Sequence, residues 1–202
     1  MILWGRLNSH NVKKVAWLAE ELGIGYERRD IGGQFGFTAA YLAMNPNRLI
    51  PTIEHEGVVL WESNAILRYL AARFPEGGFW PADPAERARG DKWMDWQFGY
   101  ADAQRDAFVN LVRRPEGERD MGAVEASRAA TAKMMAILDD ALAETGWLSG
   151  ERFGIGDIPM GVYAHTWFGL NLADRSLSRV ADWYARLRER PGYASQVMIP
   201  LT

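Results

Sequence analysis

Two junctions within Asn45 to Leu70, reading NPNRLIPTIEHEGVVLWESNAILRYL, combine residue types that could seat a small ligand. At Leu49-Ile50-Pro51 the proline ring holds Ile50 extended and removes one ladder donor, so backbone groups are freed there for a ligand. At Trp61-Glu62-Ser63-Asn64 a strand ends and a helix opens, with Ser63 or Asn64 as an N-cap facing the positive end of the helix dipole. An anionic group suits that second junction.

Composition narrows the chemistry further. None of the 202 residues is cysteine, which removes disulfides, thiolate metal sites and cysteine nucleophiles together. Any sulfur chemistry must therefore come from a bound thiol. The three histidines, at 10, 55 and 165, are too scattered for a metal triad, and no HExxH spacing occurs. The glycine-rich IGGQFG has neither GxGxxG nor GxxxxGK spacing, so it reads as a loop and not as a nucleotide phosphate cradle. A net charge of -3 gives no reason to expect nucleic acid or an acidic membrane as partner. The N-terminus has no basic head before an apolar run, and no run approaches about eighteen apolar residues, so neither signal peptide nor membrane span is expected. The expected compartment is the cytoplasm.

The elements that must position these junctions follow from periodicity and punctuation. Met1 to Gly5 is a strand candidate, and Val12, Val15, Ala16, Ala19 and Leu22 recur at helical spacing before Gly23. Tyr26 to Asp30 suggests a second strand, and Thr38 caps a short helix that Asn45-Pro46 stops. Thr52-Ile53-Glu54 and Val58 to Trp61 flank a tight turn at His55-Glu56-Gly57. Ala65, Ile66, Leu67, Tyr69 and Leu70 give the next helix its buried face. A crossover helix makes the first strand pair parallel, and the hairpin makes the last pair antiparallel.

PEGGFWPADP, residues 75 to 84, breaks the helical pattern and reads as a linker between residues 1–74 and 85–202. Beyond it the spacing predicts helices over 85–112, with Trp93, Trp96 and Tyr100 along one face, then 122–144, a helix opening at Gly154 to Asp157 and running through Leu170, and 180–190, stopped by Pro191-Gly192. The expected class is α/β plus all-α: a βαβαββα unit with a mixed sheet, followed by a helical bundle.

The order of the first half, with a proline before its third strand, resembles a thioredoxin-like domain. NPNRLIP followed by LWESNAILRYLA resembles the glutathione site of cytosolic glutathione S-transferases, and FGIGDIPMG and RPGY are similar to the same family's second domain. The resemblance spans essentially the whole chain. It implies a cis Pro51 that turns the Ile50 N–H and C=O toward the cysteinyl part of glutathione like an added strand. It also implies that Glu62 accepts from the γ-glutamyl ammonium, while Ser63 and its helix N-terminus take the carboxylate.

The first strand-to-helix junction, NSHN, then faces the thiol. A free thiol titrates near ~8.5, so a Ser9 hydroxyl hydrogen donated to the thiolate, aided by the side-chain amide of Asn11, would favour the nucleophilic form. Ser9 resembles the serine-type theta class and Asn11 the nu class. The competing use of Ser9 is a plain N-cap with its hydroxyl on the backbone of residue 11 or 12. His10, between them, is expected to be solvated.

The chain departs from the family at two places. Leu49 stands where many relatives have a lysine for the glycine carboxylate of glutathione, which leaves Arg48 as the substitute. Gly154 stands in the usual Ser/Thr capping place, with Asp157 retained in a structural role and Phe153 and Ile158 placed as a hydrophobic staple. A second substrate would lie between the domains against Trp4, Arg6, Leu7, Gln97 and Tyr100, whereas Trp93 and Trp96 are assigned to core or interface.

The resemblance thus implies a homodimeric transferase that adds glutathione, as co-substrate and without a metal, to a hydrophobic electrophile. Alternatives are a glutathione-dependent disulfide or peroxide reductase and a non-catalytic ligand-binding or interaction protein of the same fold.

Overall fold

The computed structural model describes residues 1–173 and 176–202. The first half contains β1 (Ile2–Trp4), α1 (His10–Glu21), β2 (Glu27–Arg29), α2 (Ala39–Met44), β3 (Thr52–His55), β4 (Val58–Trp61) and α3 (Ser63–Arg73). The sheet order is β2-β1-β3-β4. β1 runs parallel to β2 and antiparallel to β3, and β3 and β4 form the hairpin. Glu56 and Gly57 both have positive φ, 51° and 81°, which is what a two-residue turn matching the strand twist requires.

Alternation along β1 sorts its side chains between two faces. Leu3, paired with Ile53, is fully buried in the core shared with α1 and α3. Trp4 points to the other face, where its ring lies 5.9 Å from Tyr41 of α2. Gly5 then turns the chain at φ 151°, and a Cβ there would stand 2.4 Å from Val12 Cγ2, so this turn can approach α1 only as glycine.

The second half comprises α4 (Pro84–Phe108), α5 (Met121–Thr145), α6 (Asp157–Gly169), α7 (Ser178–Arg188) and α8 (Pro191–Gln196). Asp83 and Asp120 cap α4 and α5 by accepting backbone N–H groups one turn ahead. The long helix predicted over 85–112 ends as α-helix at Phe108 and continues as a wider π turn over Val109–Arg113. Asn110 stabilises that turn: its amide donates to Asp106 O, and its carbonyl accepts from Asp120 N and Arg114. Pro191-Gly192 does more than stop a helix, since Pro191 occupies the first turn of α8, where its missing N–H costs nothing.

The expectation for α1 needs the largest correction. Its periodicity suggests one buried stripe, but every residue from Val12 to Ala19 is buried, including Lys13 and Lys14. One side packs on α3, the other on α6 and α8. Trp17 meets Phe153 at 5.4 Å and Tyr193 at 4.8 Å, and Glu21 takes a two-point ion pair from Arg190 at 2.9 and 2.6 Å.

Asp157 opens α6 as a fully buried carboxylate that collects Leu148 N, Ser149 N, Gly154 N and Trp183 Nε1 at 2.9 to 3.3 Å. The N-cap of α6 is Gly156, two residues later than the expected Gly154, and Asp157 ties down the turn over 154–157 that precedes the helix. Burial pushes its carboxyl up, and these donors oppose that shift. Replacing Asp157 by Ala strands those donors, so the urea midpoint should fall by the equivalent of about 3 kcal/mol or more at unchanged m-value.

Candidate active site

The loop before β3 is held from beneath by polar side chains. Asn45, almost fully buried, donates to Leu49 O and Thr52 Oγ1, both at 3.1 Å. The Tyr41 hydroxyl donates to Leu49 O at 2.6 Å and shares a hydrogen bond with Thr52 Oγ1 at 2.9 Å. Both flanks of Ile50-Pro51 are therefore pinned, and that peptide bond is cis. Ile50 N and O have no hydrogen-bond partner among the described residues, and the Ile50 side chain packs toward Gly5 and Gly32. The backbone is held out and unspent. Sequence reasoning read Asn45 only as a helix stop, and nothing local distinguishes a stop from an anchor.

At the second junction the cap is one residue earlier than expected. Glu62, exposed, occupies the N-cap with φ 72°, and Ser63 is the first residue of α3 and buried. A non-glycine residue in that region costs on the order of 1–3 kcal/mol, and such geometry concentrates at functional sites. The Ser63 hydroxyl donates to Asn11 Oδ1 at 3.3 Å, which ties the start of α3 to the start of α1. Behind it lies Lys14, wholly buried, whose ammonium donates to Ser63 Oγ and Asn64 Oδ1 at 3.4 Å and to Gln97 Oε1. Burial lowers the Lys14 amine to about 7, with Glu62 partly opposing.

Ser9 sits at the N-cap of α1 with extended backbone, and its carbonyl accepts Lys13 N at 2.9 Å. Its hydroxyl makes no capping hydrogen bond, so the plain-cap use of Ser9 is not the one found. Asn11 commits its Oδ1 to Ser63 and keeps its NH2 for an acceptor. Arg48 and Leu49 are exposed at the loop, Arg48 with φ 58° and without an ion pair or side-chain hydrogen bond among the described residues.

Four other expectations are corrected. His10 is not solvated: its Nε2 bonds Thr166 Oγ1 at 2.7 Å, and its ring stacks on Tyr163 at 4.8 Å and meets Phe108 edge-on at 5.1 Å. Trp4 faces α2, with its Nε1 on Glu54 at 2.7 Å and Arg29 over its ring. Gln97 is buried on Lys14. Tyr100 is fully buried among Trp96, Tyr163 and Gln104. In each case the periodicity located a face of an element but not the neighbour that covers it. Leu7 is exposed and Arg6 half-buried, the Arg6 guanidinium close enough to Arg113 to be lowered by its charge as well as by burial.

The cleft itself lies about one turn further along α4. A cavity of about 320 Å³ is lined by His10, Gln104, Phe108, Arg113 and Tyr163 among others. No group of residues able to hold a metal ion occurs among the described residues, and none of their helices is long and apolar enough to cross a membrane.

A βαβαββα unit with a pinned cis-proline, a helix N-terminus beside it and a serine at the first helix start, followed by a helical bundle, defines the class of proteins built on a thioredoxin-like half and an all-helical half. The family model for the glutathione S-transferase N-terminal domain matches residues 1–72. Over 205 residues the chain is 42% identical to a glutathione S-transferase, GstB, of Escherichia coli strain K12, covering 99% of each. It superposes with a TM-score of 0.95 on a theta class glutathione S-transferase from the citrus canker pathogen Xanthomonas axonopodis pv. citri with glutathione bound, at 46% identity over 100% of this chain and 98% of that one. A disulfide-bond oxidoreductase of Escherichia coli, YfcG, is 28% identical over 90% of this chain and 87% of that protein. The chain belongs to the cytosolic glutathione S-transferase family.

His10 supplies a test of the site's electrostatics. Burial, then Lys13, Lys14, Arg113 and Arg6, lowers its imidazole to about 3, well below the ordinary ~6.5 of an unfolded chain. The unfolded state therefore binds the extra proton between those values, and stability is lost as pH falls from about 6.5 toward 3, by up to about 1.4 kcal/mol per pH unit. Urea titrations across that range should show a shallower fall in midpoint for His10→Gln than for the wild type.

Proposed function

We propose that the protein is a glutathione transferase that holds glutathione along the Ile50 backbone and at the Glu62-Ser63 junction, and adds its thiolate to an electrophilic small molecule. The observation that carries this reading is the unspent hydroxyl of Ser9 at the start of α1, two residues before the asparagine that Ser63 of α3 bonds. Ser9 donates to the thiolate, Asn11 offers its NH2, and the dipole of α1 favours the negative sulfur. Glu62 takes the γ-glutamyl ammonium and Ser63 the adjoining carboxylate. Arg48, exposed at the far end of the loop, takes the glycine carboxylate.

The electrophile enters the cavity beside His10 and Arg113, and Arg6 and Leu7, in the loop after β1, are assigned to its approach. The aromatic rings of Phe108 and Tyr163 suit an apolar second substrate. Residues 1–74 form the glutathione-binding unit, 75–84 the linker and 85–202 the helical unit. A homodimer is supported by exposed apolar side chains on the edge strand β4, Val58, Val59 and Trp61, and by exposed Phe98 and Ile137. A cysteine-free chain that uses a free thiol suits the reducing cytoplasm.

Asn11 favours a second reading, reduction of a disulfide or peroxide by two glutathiones, which fits the similarity to the oxidoreductase named above. Rates second order in glutathione would identify it.

Calorimetry should give saturable glutathione binding, and its absence overturns the transferase reading. Ser9→Ala should raise the apparent thiol pKa of bound glutathione by about one to two units, read from thiolate absorbance against pH, because a hydrogen bond to a charged group is lost. An unchanged titration removes Ser9 from that role.

A further inference from the structure

Lys14 has no part in the glutathione contacts above. It is fully buried, yet each hydrogen-bond acceptor around its ammonium is a neutral oxygen: Ser63 Oγ and Asn64 Oδ1 on α3, both at 3.4 Å, and Gln97 Oε1 on α4. Among the described residues no carboxylate lies within ion-pair distance of it. The rings of Tyr163 and Phe98, at 5.6 and 6.0 Å, give only weak compensation. A buried charge without a counter-ion is costly, so the start of α3 is one negative charge short.

That deficit lies directly behind Ser63, where the reading above places the γ-glutamyl carboxylate. We propose that Lys14 is the buried counter-charge for the α-carboxylate of the γ-glutamyl group, acting as a binding residue whose protonation is coupled to ligand uptake. The inference rests on the glutathione reading and adds a residue and a proton to it.

The groups facing Lys14 allow the coupling to be seen. Glu62 on α3 favours the charged amine, and α4 contributes only Gln97 and Phe98. His10, on its own helix, is held neutral by a value near 3, and Tyr163 on α6 is pushed up to about 12, so neither titrates near neutrality. Lys13 turns away, donating to Val197 O at 3.2 Å, and its amine lies near 8. Burial lowers the Lys14 amine to about 7 in the absence of ligand. An arriving carboxylate stabilises the ammonium and raises that value, so binding takes up a proton and affinity falls as pH rises above about 7.

The test uses S-methylglutathione, which has no thiol to titrate. Calorimetry in two buffers of different ionisation enthalpy should show net proton uptake of roughly half to one proton, and a Kd that rises by up to about tenfold between about pH 6.5 and 8. In Lys14→Met and Lys14→Gln the Kd should be weaker by about tenfold or more at the lower pH, with the proton uptake lost. S-methyl-γ-aminobutyryl-cysteinylglycine, which lacks only the α-carboxylate, should bind the wild type without that uptake. The wild-type measurements decide the matter even if a variant fails to fold. Tight binding of S-methylglutathione with no proton uptake overturns the role of Lys14 and leaves the glutathione reading intact. No binding at all overturns both.

Discussion

The burial of α1 on all sides is the constraint on which the rest of the structure depends. A helix covered only by its own sheet would need one apolar stripe, but α1 is gripped between α3 on one side and α6 and α8 on the other. Its outward positions are therefore also interior. Trp17 fills the space against Phe153 and Tyr193, Glu21 is fixed by Arg190, and His10 is clasped by Thr166, Tyr163 and Phe108. Because the two halves meet on this helix, the position of its N-terminus relative to α3 and α4 is set by packing along its whole length.

That rigidity gives the site its geometry. Ser9 presents a hydroxyl not used in capping, Asn11 bonds Ser63, and Lys14 joins Ser63 and Asn64 to Gln97. Side chains of α1, α3 and α4 thus form one polar chain that ties the start of α1 to the start of α3 and on to Gln97. On the other flank, Asn45 and Tyr41 hold the loop so that the Ile50 backbone stands free. The site is built on helix starts and a pinned loop, which lets binding groups be placed before a ligand arrives.

Local rules carried the fold a long way and stopped at recognisable points. The parallel and antiparallel strand pairs, the Thr38 cap and the hairpin turn follow from short-range spacing, the structural role of Asp157 from the family resemblance, and the structure has each of them. What failed did so for one reason. His10 reads as a solvated residue, and Gln97 and Tyr100 as lining a cleft, because periodicity knows the faces of a helix but not how many partners surround it. The shift of the α3 cap from Ser63 to Glu62 was equally hidden, since a positive φ at glutamate contradicts local preference and is sustained by its surroundings.

By itself the sequence determined the chemistry available: no thiol of its own, a proline that frees backbone at Ile50, a helix start at Ser63 suited to an anion, and a serine at the first helix start. These depend on residue type and near neighbours, which a linear chain already specifies. Only the tertiary structure decided which of those groups meet. It brought Asn11 to Ser63 across more than fifty positions of chain, placed the Lys14 ammonium behind them, and buried Gln97 and Tyr100. The physical reason is that burial and the pairing of buried polar groups are properties of the assembled halves, and no segment of the sequence carries them alone.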